Sequence, residues 1–399
     1  MTALASAVHR YDGAMPPTEL PRTARWPPAL PALLVLLVLV VRFAPEIRNG
    51  GSDEADLARG VALALKGGSP YAEPRYIYTP ALASFWVFAT RQLGSEGAAV
   101  ALRVLNVVGG AMCAWVATAR LALAPSTRLA ATIVIAVAAP PILAGLAVGN
   151  PSVGSSGATL AGLLLWPASP LTAGVLLGVG LMAKPVTLPA LAVFAGMRSR
   201  DGSSARFAAL LAATATVLVS LAIPPWTLRD MLAANQAFGP CQAVGIDGAL
   251  RAMGATSSPL MILVVVTGIA VAYARRRLMD TDDLIVVGTV ASIVALPRIW
   301  SHSMTLVIPV VVWALEVQLR RYRSAPPEQP NARQKALLGL VLTGLGAALV
   351  CYPEQWAHLD ELGIQPVWRG VVSLVPVAAL LGLGWVVLGP GQSAPKATS

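Results

Sequence analysis

Three carboxylates stand close together just after the first long apolar run of the chain: Asp53, Glu54 and Asp56. A carboxylate can remove the proton of a hydroxyl group as a general base. Asp53 and Asp56 are three residues apart and would share one face of a helix, whereas Glu54 would point elsewhere. If Ser52 caps a helix that runs to about Lys66, the helix dipole also favours acids in its first turn, so part of the cluster needs no function.

Cationic side chains that suit a phosphate group occur further along the chain. Lys184 lies between two short apolar runs and is followed by proline, and Arg298 and His302 are four residues apart around Trp300. Ammonium and guanidinium groups bind phosphate through charge-assisted hydrogen bonds. A single cation at the end of a span is usually an anchor at the membrane surface, so the three matter as a group on one side.

Tyrosines and amides offer groups that can contact a sugar. The segment from Gly67 to Tyr71 predicts the end of a helix and a turn. The tyrosines after this segment are suited to anchoring at the membrane interface as well as to substrate contact. Amides in loops fit sugar recognition but also fit any polar loop. The residues concerned are Tyr76, Tyr78, Asn235 and Gln236.

The composition bounds the class of protein that positions these groups. Hydrophobic residues make up 56% of the 399 residues and charged residues 12%, which leaves too little polar surface for a soluble globule. The formal charge of +10 is spread in short clusters between apolar runs, unlike the basic face of a nucleic-acid-binding protein. Three cysteines without a CxxC pair indicate neither a disulfide framework nor a zinc site.

Apolar runs from 28–43, through 129–146, 153–166 and 171–183, to 371–388 predict an all-α polytopic membrane protein with about twelve transmembrane helices. We expect residues 1–26 to form a disordered cytoplasmic tail, 27–389 a transmembrane domain, and 390–399 a cytoplasmic tail. The first loop would carry an amphipathic helix. Every second connection between the apolar runs is rich in arginine, which places those connections on the cytoplasmic side of a multi-pass plasma-membrane protein. The connections on the opposite side carry the unusual polar groups, so we expect the active site on the extracytoplasmic side.

In their order, these features resemble glycosyltransferase family 87 of the membrane-embedded GT-C enzymes. That family includes actinobacterial polyprenyl-phosphate-mannose mannosyltransferases and an arabinofuranosyltransferase. The similarity covers most of the chain and is carried by an ordered set of short motifs. They are Asp53, Arg59, Gly67, Pro70-Tyr71, Tyr76-Ile77-Tyr78-Thr79-Pro80, Gly149-Asn150-Pro151, Lys184-Pro185, Asn235-Gln236 and the segment from Arg298 to His302.

The resemblance implies a GT-C-like fold and the transfer of a sugar from a polyprenyl phosphate to an extracytoplasmic glycolipid or glycan, with inversion. Mannose is the first expectation for the sugar and arabinofuranose the second. Asp53 aligns with the family's base and Asp56 is the alternative. The implied donor-phosphate ligands are Arg298, His302 and Lys184, and the implied substrate contacts are Arg59, Tyr71, Tyr76, Tyr78, Asn150, Asn235 and Gln236. Neither a metal nor a cofactor is expected, and the expected partners are the donor, the acceptor and the bilayer, without nucleic acid.

Two other functions fit the same sequence. A flippase or transporter of lipid-linked sugars would move its substrate without forming a glycosidic bond, and it would carry charged residues in the middle of its spans. A scaffold of a cell-envelope complex would need neither activity. The ionisable groups lie mostly at the ends of apolar runs on one side, which favours an enzyme.

Overall fold

The computed structural model describes Val41 and residues 51–198, 203–237, 245–255, 258–296, 299, 301–351 and 366–389. Regular secondary structure in these ranges is helical. The α-helices are α1 (Ser52–Leu65), α2 (Pro80–Ala119), α3 (Pro125–Ala138), α4 (Pro140–Val148), α5 (Ser152–Leu165), α6 (Pro170–Ala183), α7 (Leu188–Gly196), α8 (Ser203–Ala222), α9 (Leu228–Ala237), α10 (Ile246–Ala252), α11 (Pro259–Arg276), α12 (Thr281–Val294), α13 (Ile308–Ser324), α14 (Pro330–Cys351), α15 (Pro366–Ser373) and α16 (Val375–Leu388). Short 3-10 helices cover Pro70–Ala72, Pro185–Thr187 and Ser301–Val307.

The chain is a polytopic helical membrane protein. Six helices among the described residues are long and apolar enough to cross a bilayer, or seven if the bent pair α3 and α4 forms one span. Helices α5 and α6, and α7 with the turn before it, are apolar but shorter. Length and composition therefore do not give the expected number of about twelve spans, because prolines and glycines end several apolar runs early. The predicted first span, 28–43, lies outside the described residues except for Val41.

Breaks inside the apolar runs depart from the sequence prediction. The run 129–146 was expected to form one helix, but Pro140 starts a new helix and the pair is bent by 49°. Helix α2 is kinked at Gly94, whose φ of 74° and ψ of 170° are not helical. The segment 80–93 is thus a helix of its own that the sequence analysis missed, and 95–119 forms the following span.

Two separate hydrophobic cores result from these breaks. The larger core joins 95–119 with α3 to α8, α11 to α14 and α16. The smaller core belongs to residues 51–102, which we call the small subdomain, and it contains Leu57, Val61, Trp86 and Leu102. Trp226, just before α9, packs against this smaller core. The acidic segment is therefore part of a packed unit and not a loose loop.

Tyr76 occupies the centre of the small subdomain. Its side chain is fully buried, and its ring packs edge-on against Tyr71 and Tyr78 at centroid distances of 5.4 and 5.5 Å. Such pairs are favoured by the quadrupoles of the rings. Gly60 of α1 makes the space for this ring, since a Cβ at that position would lie 2.2 Å from Cδ2 of Tyr76.

We expect Gly60→Ala to destabilise the small subdomain by about 1–3 kcal/mol, because the added methyl group forces the Tyr76 ring to move. Gly344→Ala is the matched control. Gly344 also lies inside a helix, and no heavy atom lies within 4 Å of the position of its added Cβ. Thermal unfolding of the detergent-solubilised variants would measure the difference. An unchanged midpoint for Gly60→Ala would contradict the packing described here.

Candidate active site

The turn between α4 and α5 places Asn150. Gly149 ends α4 in the left-handed conformation with φ of 69°, which a residue with a Cβ rarely adopts. The backbone N–H of Asn150 donates to the carbonyl of Gly145 at 3.0 Å, and Pro151 prevents α4 from continuing. Asn150 is only 4% exposed. The predicted turn at 149–151 is confirmed, and it presents a buried amide side chain at the start of α5.

The break between α6 and the turn Pro185–Thr187 places Lys184. Its backbone is extended, with φ of −156° and ψ of 122°, as expected for a residue before proline. The hydroxyl of Ser155 in α5 donates to the carbonyl of Gly180 at 2.7 Å and so fastens the last turn of α6 to α5. Lys184 therefore emerges beside the start of α5, next to the turn that carries Asn150.

One hydrogen-bond network joins Asp53, Asn150, Ser152 and Lys184. Asn150 Nδ2 donates to Asp53 Oδ2 at 2.5 Å. Asn150 Oδ1 accepts from Lys184 Nζ at 3.2 Å and from the backbone N–H of Ser152 at 2.9 Å. Lys184 Nζ also donates to Ser152 Oγ at 2.6 Å. These donors fix the orientation of the Asn150 amide, so its NH₂ group faces the carboxylate. An anionic and a cationic group are thus held on either side of a single amide.

The two charged groups of this network differ in their accessibility. Asp53 is half-buried in the first turn of α1, and Lys184 is half-buried as a residue with its ammonium group enclosed. Burial lowers the pKa of the Lys184 ammonium to about 8, while the negative charge of Asp53 raises it. Most Lys184 side chains are therefore charged at neutral pH, close to the point at which they lose their proton.

Tyr78 and Thr79 border the network. Thr79 caps the helix that starts at Pro80 by accepting from the backbone N–H of Leu82 at 3.1 Å, and its hydroxyl donates to the carbonyl of Met182. This contact pins the segment beside the last turn of α6. Burial, together with the carboxylates of Asp53 and Asp56, holds the pKa of the Tyr78 phenol well above its usual value. Tyr78 therefore remains a hydrogen-bond donor next to the carboxylates.

His302 lies on the other side of Lys184. It is 8% exposed, in the 3-10 helix before α13, and interacts electrostatically with Lys184. A Cβ at Gly145 would lie 3.2 Å from its Cβ, so the close packing of α4 depends on that glycine. The structure thus brings together two of the three side chains predicted to bind phosphate. Arg298 lies outside the described residues.

Asp56 is not part of the network. It forms an ion pair with Arg59, one helical turn later, and Arg59 Nε also lies 3.4 Å from Glu73 Oε1. The side chain of Arg59 is 51% exposed. This pair covers the outer surface of α1. Asp53 and Asp56, expected to share one face, therefore differ in their surroundings: an amide contacts the first and a guanidinium the second.

Other predicted contact residues have structural positions. Tyr71 is half-buried, and its hydroxyl donates to the carbonyl of Tyr78 at 2.9 Å. The ring of Tyr76, which was predicted to contact substrate, is fully buried in the small subdomain. Its hydroxyl has no hydrogen-bond partner among the described residues. Asn235 and Gln236 belong to α9, but their side chains lie outside what the structure describes.

Sequence reasoning missed Ser152 and Arg103 near this site and did not identify the partner of Glu54. Ser152 completes the hydrogen bonding of Lys184, and nothing in its sequence context indicated this. Glu54 and Arg103 form a buried ion pair between α1 and α2. Arg103 did carry a signal, because a lone ionisable residue inside an apolar run usually faces a partner.

Arginines gather at other places than this site. Arg120 Nε lies 3.1 Å from Asp282 Oδ2, and its guanidinium stacks 5.3 Å from the ring centroid of Trp313. Arg198 forms a backbone bridge with Leu278. Arg120 and Arg103 lie seventeen positions apart on the same helix, about 25 Å along its axis. The described part of the chain thus separates a basic end from the end that holds Asp53 and Lys184.

Chemically, the site offers a half-buried carboxylate as a proton acceptor and an ammonium group as a partner for an anion. Among the described residues, no three His, Cys, Asp or Glu side chains are arranged to hold a metal ion. Neither models of protein families, nor curated proteins, nor solved structures match this chain.

Proposed function

We propose that the protein is a membrane glycosyltransferase that moves a sugar from a polyprenyl phosphate to a hydroxyl group of a glycolipid or polysaccharide acceptor on the extracytoplasmic face of the plasma membrane. Mannose is the proposed sugar and arabinofuranose the next candidate. The observation that carries this proposal is the network in which Asn150 holds Asp53 and Lys184 apart by the width of one amide. It supplies a base and an anion-binding group within one site.

The transfer requires a base, because the acceptor hydroxyl must lose its proton as its oxygen attacks the anomeric carbon. The Asp53 carboxylate takes that proton. The bond between the anomeric carbon and the phosphate oxygen breaks, and its electron pair leaves with the polyprenyl phosphate. Attack from the side opposite the leaving group inverts the anomeric centre. General-base catalysis of this kind contributes about 10²- to 10⁴-fold to the rate.

The departing phosphate gains negative charge, and a cation placed beforehand stabilises it without reorganisation. Lys184 provides this charge, with His302 beside it and Arg298 as a third proposed ligand. Asn150 and Ser152 hold the ammonium group by two hydrogen bonds of 3.2 and 2.6 Å. This orientation keeps the lysine from forming a direct ion pair with Asp53, which would neutralise both groups.

A GT-C-like architecture with about twelve spans is part of this proposal. Asn150 at the start of α5 meets Lys184 at the end of α6, so these two helices run in opposite directions. The end of 95–119 meets the acidic start of α12 through Arg120 and Asp282. An apolar helix that is too short to cross the bilayer alone would cross it together with the turn that extends it.

A lipid-linked-sugar flippase is the second candidate, and one observation favours it. Helix α5 is almost entirely buried and carries Ser155, Ser156 and Thr159, each at most 1% exposed. The hydroxyl of Thr159 has no partner among the described residues. A polar seam inside an apolar bundle is a feature that a transport path would use.

Purified protein in proteoliposomes, supplied with labelled polyprenyl-phosphate mannose and envelope glycolipids, distinguishes the two candidates. An enzyme releases polyprenyl phosphate and forms a labelled glycosidic bond, detected by mass spectrometry. A flippase moves the donor between leaflets and forms no new bond. If mannose is not transferred, the arabinofuranose donor is tested next. Translocation without a new product for either donor would refute the proposed activity.

A further inference from the structure

A buried ion pair lies directly behind the proposed base. Both carboxylate oxygens of Glu54 in α1 accept hydrogen bonds from Arg103 in α2, one from Nε and one from Nη2. Glu54 is 7% exposed and Arg103 is 9% exposed. Forked arginine–carboxylate contacts fix geometry as well as charge. The pair therefore fixes the first turn of α1 at one position along the span 95–119.

The same turn of α1 is pressed against the end of α4. A Cβ at Gly51 would lie 2.1 Å from the carbonyl carbon of Val148. A Cβ at Gly149 would lie 2.8 Å from Cβ of Glu54. The backbones before Asp53 and before Asn150 thus touch without intervening side chains, and the Glu54 side chain crosses this contact to reach Arg103.

We propose that Glu54 and Arg103 are positioning residues that hold the Asp53 carboxylate against Asn150, and this rests on the proposed role of Asp53 as base. Consecutive residues of a helix point about 100° apart. Fixing Glu54 inward on Arg103 therefore sets the direction of Asp53. Arg103 acts through Glu54.

A contribution to stability alone would not account for this arrangement. A buried ion pair is often no more stabilising than apolar residues of the same volume, because both charges lose their hydration. Its geometry is specific, however. Asn150 Nδ2 donates to Asp53 Oδ2, and such a bond weakens steeply when donor and acceptor lose their alignment, so a rotation of α1 would disrupt it. Misplacement of a catalytic group by about 1 Å can cost about 10²-fold in rate.

The pKa of Lys184 depends on the position of the Asp53 carboxylate, and it can be measured without an assay of glycosyl transfer. Its nearby charged and titratable groups are Asp53 and His302. Loss of the Asp53 charge from the site lowers the pKa of Lys184, whereas unfolding raises it toward the value of an exposed lysine. The two explanations of a defective variant therefore change this pKa in opposite directions.

Trace acetylation with acetic anhydride at a series of pH values measures the pKa of each lysine by mass spectrometry. The chain has four lysines, Lys66, Lys184, Lys335 and Lys396, and exposed Lys66 serves as the internal reference. The full-length protein in nanodiscs is compared with Glu54→Gln, Arg103→Met, Asp53→Asn and Glu73→Gln. Glu73→Gln is the matched control, because it removes an acid of the same subdomain that pairs with Arg59 at the surface.

We expect Glu54→Gln and Arg103→Met to lower the pKa of Lys184 toward its value in Asp53→Asn, and Glu73→Gln to leave it unchanged. In the transfer assay, Glu54→Gln should lower kcat by about 10²-fold with little change in the donor KM. A wild-type pKa in Glu54→Gln would overturn the positioning role, and so would a rise toward the value of unfolded protein. If Asp53→Asn itself left the pKa of Lys184 unchanged, the network and the proposed base would both be wrong. If the pKa of Lys184 changed as expected but the wild-type protein transferred no sugar, only the proposed glycosyltransferase function would be refuted.

Discussion

Asp53→Asn should reduce sugar transfer by about 10²- to 10⁴-fold, because the amide that replaces the carboxylate cannot accept the proton of the acceptor hydroxyl. The substitution keeps the size of the side chain. It leaves one oxygen to accept the hydrogen bond of Asn150. The small subdomain should therefore fold as in the wild type, and the loss should appear in kcat. Single-turnover transfer from a labelled donor in proteoliposomes measures it.

Asp56→Asn is the control for this experiment, since Asp56 lies one helical turn away and carries the same charge. Its carboxylate pairs with Arg59 at the surface of α1 and does not contact Asn150 or Lys184. An exposed pair of this kind contributes little to stability, typically below about 1 kcal/mol. Transfer by Asp56→Asn should thus stay within a few-fold of wild type. The opposite pattern, with Asp56→Asn inactive and Asp53→Asn active, would move the base by one helical turn.

Much of the helical framework could be predicted from the sequence, because membrane helices are apolar runs that end at proline or glycine. The runs 153–166 and 171–183 match α5 and α6 to within one residue at each end. Ser52 was expected to cap α1, but it is the first helical residue and Gly51 is the cap. Gly51 fits because its backbone touches Val148, a contact between distant segments that no local rule anticipates.

The candidate site was predicted in part. The prediction that Asp53, Asn150, Lys184 and His302 would lie on one side followed from counting spans, and the structure brings these four together. It could not say which tyrosine lies beside the carboxylates. Tyr76 and Tyr78 alternate along one segment, yet the first fills the gap left by Gly60 and the second borders the carboxylates. That difference depends on how α1 packs against 80–93.

The break at Gly94 shows the same limit of local reasoning. Residues 80–119 carry a helical pattern in which Gly94 is one of four glycines, and a glycine alone does not force a kink. Leu82, Trp86 and Val87, which precede the kink, are buried with residues of α1 in the smaller core. Because α1 is held by Glu54 and Arg103, the helix break and the orientation of Asp53 depend on the same packing.

The proposed role of Lys184 predicts how donor binding depends on pH. A polyprenyl-phosphate sugar carries a negative charge that favours the protonated amine, so binding raises the pKa of Lys184 above its value of about 8 in the free protein. Donor affinity should therefore be full below pH 8. It should fall by up to about tenfold for each pH unit above 8, until the pKa of the complex is reached.

Lys184→Met should weaken donor binding by roughly tenfold to a hundredfold at neutral pH, the range expected when a hydrogen bond to a charged group is lost. It should also remove the decline above pH 8, because the titrating group is gone. Lys184→Arg keeps its charge throughout this range and should bind without the decline. A phosphonate analogue, in which a methylene group replaces the bridging oxygen, permits binding measurements without transfer.

Lys66→Met is the matched control, because Lys66 is an exposed lysine that follows α1 in the same subdomain and makes no contact with the network. Its affinity for the analogue and its pH profile should equal those of the wild type. Wild-type affinity that stays constant from pH 7 to 10 would exclude Lys184 as the phosphate ligand. Wild-type affinity in Lys184→Met would do the same and would leave the lysine a structural link between α5 and α6. The predicted loss, confined to Lys184 variants and centred near pH 8, would place the anionic group of the donor beside the amide that also holds Asp53.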